Sequence, residues 1–381
     1  MKSLLYSCQY IDGNDIDEVV KVLKSDWITQ GPKIGEFEAA LCEYTSAKYS
    51  VALSSGTAAL HLSLLTLGIG KGDKIITSPI TFSASANCAL YVGARPLFVD
   101  IDDKTYHLDI EKLKSFLKVP SNRKGVKAIV SVHFMGTVAD IAEMKKICDR
   151  YGISIVEDAA HALGAAYKFK DKWIKVGRCE DSKATIFSFH PIKQITTGEG
   201  GALLTNDKKI YKSALRLRHH GIVRSSKKPW SYDIPQVGFN YRITDFQCAL
   251  GISQLKKIDK MINIRRRIVG YYNESLRKVE GIRLPYEREG TNASYHLYVI
   301  RMQRGRRDKL YSYLKENNIS TQVNYIPLHL LSYYRNLLGY RRGDFLVSER
   351  YSAECLSLPL YVGLSRRDQS KVIKRVREFF Q

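Results

Sequence analysis

Three short segments carry residue types that can do chemistry, each where a β-rich run gives way to helical periodicity. The first is Ser54-Ser55-Gly56-Thr57-Ala58-Ala59-Leu60. Gly56 lets the backbone approach a ligand, Thr57 offers a hydroxyl, and a helix N-terminus presents free N–H groups and the positive end of its dipole, a seat for phosphate. The segment is not a P-loop, since the G-x-x-x-x-G-K-[ST] spacing is absent; a Ser/Thr N-cap beside a tight turn is its plainer reading. The second is Val156-Glu157-Asp158-Ala159-Ala160-His161. A carboxylate at the end of a buried strand is costly unless a cation meets it, so Asp158 either holds a protonated ring nitrogen or caps the next helix. The third is Phe187-Ser188-Phe189-His190-Pro191-Ile192-Lys193, followed by Thr196-Thr197-Gly198-Glu199-Gly200-Gly201. Surface lysines are the rule, but Lys193 follows an apolar strand and precedes a glycine-rich turn. A lysine in an apolar pocket loses proton affinity and becomes a nucleophile able to form a Schiff base.

A phosphate cradle, an acid for a pyridinium nitrogen and a Schiff-base lysine together meet the requirements of pyridoxal phosphate. The acid keeps the ring nitrogen protonated so that the ring draws in electrons; the lysine holds the cofactor and then shuttles the proton.

These residues need elements to hold them. Hydrophobic periodicity predicts strands at Tyr49–Leu53, Lys74–Ser78, Pro96–Ile101, Ala128–His133, Ile153–Glu157, Thr185–Phe189 and Ala202–Thr205. Helices are predicted at Ala58–Leu67, Ser83–Val92, Asp109–Leu117 and Ile141–Tyr151, the last with Asp140 as N-cap and Gly152 just past its end. Strands alternating with helices mean βαβ units and a mostly parallel sheet, in which ligands sit at the carboxyl ends of strands. This large α/β domain is expected over residues 1–250. A long basic helix, Leu255–Leu276, then a strand Tyr295–Met302, a helix Asp308–Asn317, a strand Thr321–Tyr325 and a terminal helix Asp368–Phe379 predict a smaller α+β domain over residues 251–381.

Composition bounds the function class. The 381 residues, 44% hydrophobic and 26% charged, read as an ordinary globular chain rather than a disordered one. The net charge of +22 suits anionic ligands. Seven scattered cysteines with no C-x-x-C exclude a disulfide framework and a zinc spacing, so no metal is expected and a reducing cytoplasm is. The apolar run in Met1–Cys8 is too short for a signal peptide. No run approaches the ~20 apolar residues that span a bilayer, so no membrane partner is expected.

The segments S-S-G-T-A-A-L-H-L (54–62), E-D-A-A-H-A-L-G (157–164), F-S-F-H-P-I-K (187–193), T-G-E-G-G (197–201), G-F-N-Y-R-I-T-D-F-Q (238–247) and W-I-T-Q-G-P (27–32) resemble the DegT/DnrJ/StrS family of nucleotide-sugar aminotransferases. The resemblance runs from Tyr6 to the Leu358-Pro359-Leu360 region. It implies a pyridoxal-phosphate-dependent transferase of fold type I, with a mostly parallel central sheet, flanking helices and a smaller α+β C-terminal domain. By that likeness Lys193 carries the cofactor as a Schiff base, Asp158 pairs with the pyridine nitrogen, and His161, where many members have Gln, approaches the ring hydroxyl. Phe82 stacks on the ring, and Gly56, Thr57 and Ser188 bind the phosphate. Asn240 reaches the phosphate from a second subunit, implying a homodimer with shared active sites. Tyr6-Ser7, Ser25 to Gly31, Ile195 to Gly201 and Ala249 to Lys257 resemble the branch acting in pseudaminic acid synthesis. That branch implies a UDP-linked 2-acetamido-2,6-dideoxy-4-keto-hexose as substrate and L-glutamate as amino donor. Tyr6, the segment Asp26, Trp27, Ile28 and Thr29, and the segment Tyr325, Ile326, Pro327 and Leu328 would line the sugar-nucleotide site.

Three other readings compete. A dTDP- or GDP-linked keto sugar is one. A sugar dehydratase of the same family is another, but those enzymes carry His where Lys193 stands. The third, a basic nucleic-acid-binding or regulatory protein on a degenerate scaffold, is motivated by the charge. Its basic clusters (Arg265-Arg266-Arg267, Arg304 to Arg307, Arg341-Arg342) are short and dispersed, with no zinc finger or RNP signature, so no nucleic-acid partner is expected.

Overall fold

The computed structural model describes residues 3–225, 228 and 230–381. Its main sheet has seven strands. Five run parallel in the order Ala184–Ser188, Ser154–Asp158, Val126–Val132, Lys74–Thr77, Arg95–Phe98. Gly201–Thr205 lies antiparallel between Ala184–Ser188 and Tyr49–Leu53. Tyr49–Leu53 therefore points the same way as the five, and its carboxyl end lies on the same edge as those of Ser154–Asp158 and Ala184–Ser188. The register fixes this edge: Asp158 is level with Val132 and Ile186, and Gly201 pairs with both Leu53 and Ser188. All three chemical segments leave the sheet there.

The helices follow from caps and apolar spacing. Asp109 accepts the N–H groups of Glu111 and Lys112 and starts the helix Ile110–Lys118, which buries Leu113 and Leu117 one turn apart. Asp140 accepts from Glu143 N and starts Ile141–Asp149, whose Ile141, Met144, Ile147 and Cys148 form the core face. The helix Gly56–Thr66 is apolar around most of its girth and buries eight of its eleven residues, because the sheet lies on one side and other helices cover the rest.

A second, antiparallel sheet sets Tyr298–Met302 between Ile282–Arg283 and Cys355–Leu358. Helices Ile258–Leu276, Arg306–Glu316 and Arg366–Phe380 close a core on it that includes Val269, Tyr272, Leu276, Leu310, Leu314, Val372 and Val376. The amino-terminal residues join this part of the chain: Leu4 is bridged to Ile319, and the carbonyl of Tyr6 accepts from Leu360 N. That pairing delivers Tyr6 to the ends of the main strands.

Two sequence expectations are corrected. The single helix expected over Leu255–Leu276 is two, Asp245–Lys256 and Ile258–Leu276, broken at Lys257. The first starts ten residues early because Thr244 and Gln247 form a capping box, and the Lys257 ammonium at the break pairs with Asp12 at 2.7 Å and Asp15 at 2.6 Å. Thr321–Tyr325 forms no strand: only Gln322 pairs, with Ser357, while Asn324 turns its side chain inward to accept from Tyr6 and Ser357. The helices Gly13–Leu23, Pro32–Thr45 and Lys208–Arg218, and the hairpin Ala166–Phe169 with Lys172–Lys175, were not anticipated. No helix among the described residues is long and apolar enough to cross a membrane.

Candidate active site

A cavity of about 440 Å3 opens at the shared edge of the main strands. Its wall includes Tyr6, Gly56, Thr57, Phe82, Asp158, His161, Ser188, Lys193 and Tyr325, so nine residues anticipated from the sequence converge on one space.

The phosphate-sized end is built by close backbone packing. Ser55 caps the helix Gly56–Thr66 by accepting from Ala58 N at 3.1 Å. That engages the Ala58 N–H and leaves those of Gly56 and Thr57 at the helix start for an anion. A Cβ on Gly56 would sit 3.0 Å from that of Ser188, and one on Gly201 would fall on the backbone of Ser55 and Gly56. The glycines therefore let a strand end and a helix start meet with room left for a ligand.

Asp158 ends its strand almost fully buried. Its Oδ2 accepts from Ser85 Oγ at 2.6 Å, Ser85 in turn pairs with Thr81 Oγ1 at 2.7 Å, and its Oδ1 accepts from Ala160 N at 3.2 Å. The carboxylate is thus oriented from behind and keeps acceptor capacity for a cationic group in the cavity. The neighbouring Glu157 faces the other way, onto His133 Nε2 at 2.8 Å, Thr185 Oγ1 at 2.9 Å and Ser182.

Lys193 follows the strand Ala184–Ser188 through a turn in which its N–H donates to His190 O at 2.9 Å. Burial lowers its ammonium ionisation to about 8, against the opposing pull of Asp158. A substantial share of the amine is therefore neutral near physiological pH. The rings of His161 and His296 lie tilted by 41° with centroids 4.2 Å apart, and burial, with the charge of Lys193, holds both imidazoles well below the usual histidine range. Both keep a buried Nδ1 with no partner among the described residues. Tyr325 OH lies 3.5 Å from His161 Nε2, and Tyr6 OH donates to Asn324 Oδ1 at 3.0 Å. Phe82 stands at the mouth, 59% exposed.

The arrangement fits pyridoxal phosphate in three respects: a backbone cradle for the phosphate, an oriented carboxylate, and a half-buried lysine of lowered proton affinity in the same space. The unpaired ring nitrogens of His161 and His296 are further polar groups that await a ligand.

Other anticipated residues lie elsewhere. Asn240 is exposed and off the cavity, its backbone bridged to His219. Asp26, Trp27, Ile28 and Thr29 lie on the surface, tied by Ile28 O accepting from Asp245 N and by a Thr29–Thr244 bridge. Ile326 is exposed and Pro327 follows it away from the cavity. Leu328 departs most from expectation: it is a core residue, packed with Ala86, Phe98 and Tyr334, its N–H donating to Pro79 O. An apolar side chain one turn past the cavity wall is drawn into that core.

The sequence reading did not single out Thr81, Ser85, Glu199, His296, Gln322 or Asn324. Thr81 precedes the helix Ala84–Tyr91 and Ser85 lies in its first turn, so their pairing comes from how the chain enters that helix rather than from a helical spacing. His296 and Asn324 come from more than 100 residues beyond Lys193 and Asp158 and had no local signal.

Comparison with known proteins agrees with this geometry. The DegT/DnrJ/EryC1/StrS aminotransferase family model matches residues 9–377. The UDP-4-amino-4,6-dideoxy-N-acetyl-beta-L-altrosamine transaminase of Campylobacter jejuni is 38% identical over 97% of this chain and 96% of its own length. The GDP-perosamine synthase of Caulobacter vibrioides is 34% identical over 95% of this chain and 94% of its own. Among solved structures, PseC of Helicobacter pylori, an aminotransferase involved in the biosynthesis of pseudoaminic acid, superposes with a TM-score of 0.91 at 30% identity, covering 100% of this chain and 99% of that one. The chain belongs to the DegT/DnrJ/EryC1/StrS family and is a sugar aminotransferase whose cofactor is pyridoxal phosphate.

Proposed function

We propose that the enzyme transfers an amino group from L-glutamate to carbon 4 of a UDP-linked 2-acetamido-2,6-dideoxy-4-keto-hexose, giving UDP-4-amino-4,6-dideoxy-N-acetyl-beta-L-altrosamine for pseudaminic acid. The observation that carries the chemistry is Lys193, half-buried on the cavity wall with lowered proton affinity and with Asp158 lining the same space. The relatives that act on this sugar carry the choice of substrate.

When bound, the cofactor supplies an aldehyde that joins an amine and a ring that withdraws electrons. Lys193 would hold that aldehyde, and its amine is the group in the cavity able to carry a proton to and from a substrate carbon. Asp158, held by Ser85 and Ala160 N–H, would pair with a protonated pyridine nitrogen. His161 would approach the ring hydroxyl, Phe82 would cover a ring face, and Gly56, Thr57 and Ser188 would take the phosphate. Tyr6 and Tyr325, which line the same cavity, would contact the sugar nucleotide. Burial raises the ionisation of both phenols, so they stay neutral and add no negative charge beside a diphosphate.

The working unit is a homodimer in which Asn240 serves the partner's phosphate site. Support comes from its exposure in the single chain and from the run before it, where Trp230, Tyr232, Ile234 and Val237 stand 50–80% exposed. Apolar surface of that extent usually meets another protein surface. Mixing inactive Lys193→Ala chains with inactive Asn240→Ala chains is expected to restore part of the activity, because one of the two sites in each mixed dimer has both intact residues. A fully active monomer would contradict the shared site.

A GDP-linked 4-keto sugar is the second reading, favoured by the match to GDP-perosamine synthase. Equal concentrations of UDP-, dTDP- and GDP-linked 4-keto sugars, offered together with labelled glutamate, separate the two. The UDP sugar is expected to be aminated fastest. Faster amination of either competitor overturns the substrate while leaving the transaminase in place.

A further inference from the structure

We propose that His296 is a positioning residue for Lys193: its Nε2 accepts an N–H of the lysine amine and aims the nitrogen lone pair into the cavity. The inference rests on the role proposed above for Lys193. Its basis is a contact between the half-buried Lys193 and the buried His296, Lys193 Nζ to His296 Nε2 at 3.5 Å.

His296 is held unusually firmly for a residue just outside a strand. Its own N–H donates to Met135 O at 2.7 Å. Gly136, at φ +86°, packs so closely that a Cβ there would come within 2.8 Å of His296 N and 2.7 Å of His161 O. Gln194 donates to Ser294 Oγ at 3.1 Å and to His161 O, tying together the two segments that carry the neighbouring imidazoles. On the other side, the buried Arg265 donates to Tyr295 O at 3.3 Å. The backbone that carries the ring is therefore fixed, and the ring, 3% exposed and set against His161, holds the amine it touches in a restricted position.

The choice of a histidine has a physical reason. A lysine amine ends four rotatable bonds, and it attacks a carbonyl only when neutral and with its lone pair aimed. A carboxylate partner would aim it but favour the ammonium. A neutral imidazole accepts the N–H without that bias. The groups bearing on His296, namely Lys193, His161, Arg265 and His190, all disfavour its protonation, as burial does. With Nε2 the acceptor, Nδ1 carries the proton.

The test is the rate at which full-length protein freed of cofactor takes up pyridoxal phosphate at about pH 9, above the ionisation of Lys193, followed by visible absorbance. Gln places an oxygen near the position of Nε2, whereas Asn reaches only that of Nδ1. His296→Leu and His296→Asn are expected to slow uptake about tenfold, the rate equivalent of one hydrogen bond, and His296→Gln to stay within about threefold of the native rate. Thermal unfolding reports whether each variant folds; should His296→Leu fail, the Gln and Asn pair decides. Native rates in the Leu or Asn variant, or equal slowing in the Gln and Asn variants, overturn the inference. Lys193→Ala serves as the separate control: if it develops the native absorbance, the role of Lys193 fails, whatever the His296 variants show.

Discussion

Lys193→Ala is expected to abolish steady-state transamination, a loss of about 10^4-fold or more since the residue is both nucleophile and proton carrier. The same variant should fail to develop the visible absorbance that the native protein gains with pyridoxal phosphate and loses to borohydride. No other lysine among the described residues lines the cavity, so none of them stands in. The fold should persist, and the pH dependence of stability gives a second, signed readout. The folded chain holds the Lys193 ionisation near 8, below the ordinary value of 10.5. Between those two pH values the unfolded chain binds the extra proton, so native stability rises with pH across that window. Below pH 8 the burial penalty on the ammonium is present in full. The stability of Lys193→Ala relative to the native protein should therefore be most favourable at neutral pH and decline as pH rises from about 8 toward 10.5. Substantial turnover without added amine would sink the assignment of Lys193, and a pH-independent stability difference would sink the account of its environment.

How much of this site was legible in the sequence depends on how its parts are carried. Gly56, Asp158, Ser188 and Lys193 each lie at or just past the carboxyl end of one strand, where a local motif and a change of periodicity coincide. Reading one junction at a time was enough to find them, and the parallel sheet then brought the junctions together. Residues supplied by the second sheet and the segments beside it had no such mark. His296 stands next to a strand whose apolar pattern reads as core, and only the packing of Gly136 against it puts its ring on Lys193. Ser85 sits inside a small-residue helix where a buried hydroxyl looks incidental until Asp158 is seen 2.6 Å away.

The fold shows the same division. The amphipathic helices with aspartate caps lay within a few residues of expectation, because cap and apolar face are local properties. The helix Gly13–Leu23 has a capping box at Asp12 and Asp15, yet Ile16, Val20 and Leu23 of its apolar set are exposed. It is held instead by polar contacts from Ser253, Gln254 and Lys257 onto the buried Asp15. Thr321–Tyr325 has a strand-like composition but only one paired residue, since strand identity is settled by a partner.

Asp158→Asn is expected to keep the fold and the cofactor while cutting turnover by about 10^3-fold, as loss of a preorganised charge at a reacting system does. Geometry is not what the substitution removes. The Ser85 hydroxyl that donates to Asp158 Oδ2 can rotate to accept from an amide, and Ala160 N–H still finds an oxygen. What disappears is the negative charge that keeps the pyridine nitrogen protonated. A neutral ring nitrogen leaves the cofactor seated and weakens its pull on electrons. Ser85→Ala gives the graded comparison: it removes one hydrogen bond that orients the carboxylate and leaves the charge, so a loss of only about tenfold is expected. The two substitutions also part at Lys193. Asp158 opposes the lowering of the lysine ionisation by burial, so its removal should carry that ionisation further below about 8, and the pH at which cofactor uptake becomes half-maximal should fall. Ser85→Ala should leave that midpoint in place. Near-normal turnover in Asp158→Asn would reduce the residue to a cap, and an unmoved midpoint would show that its carboxylate does not act on the lysine.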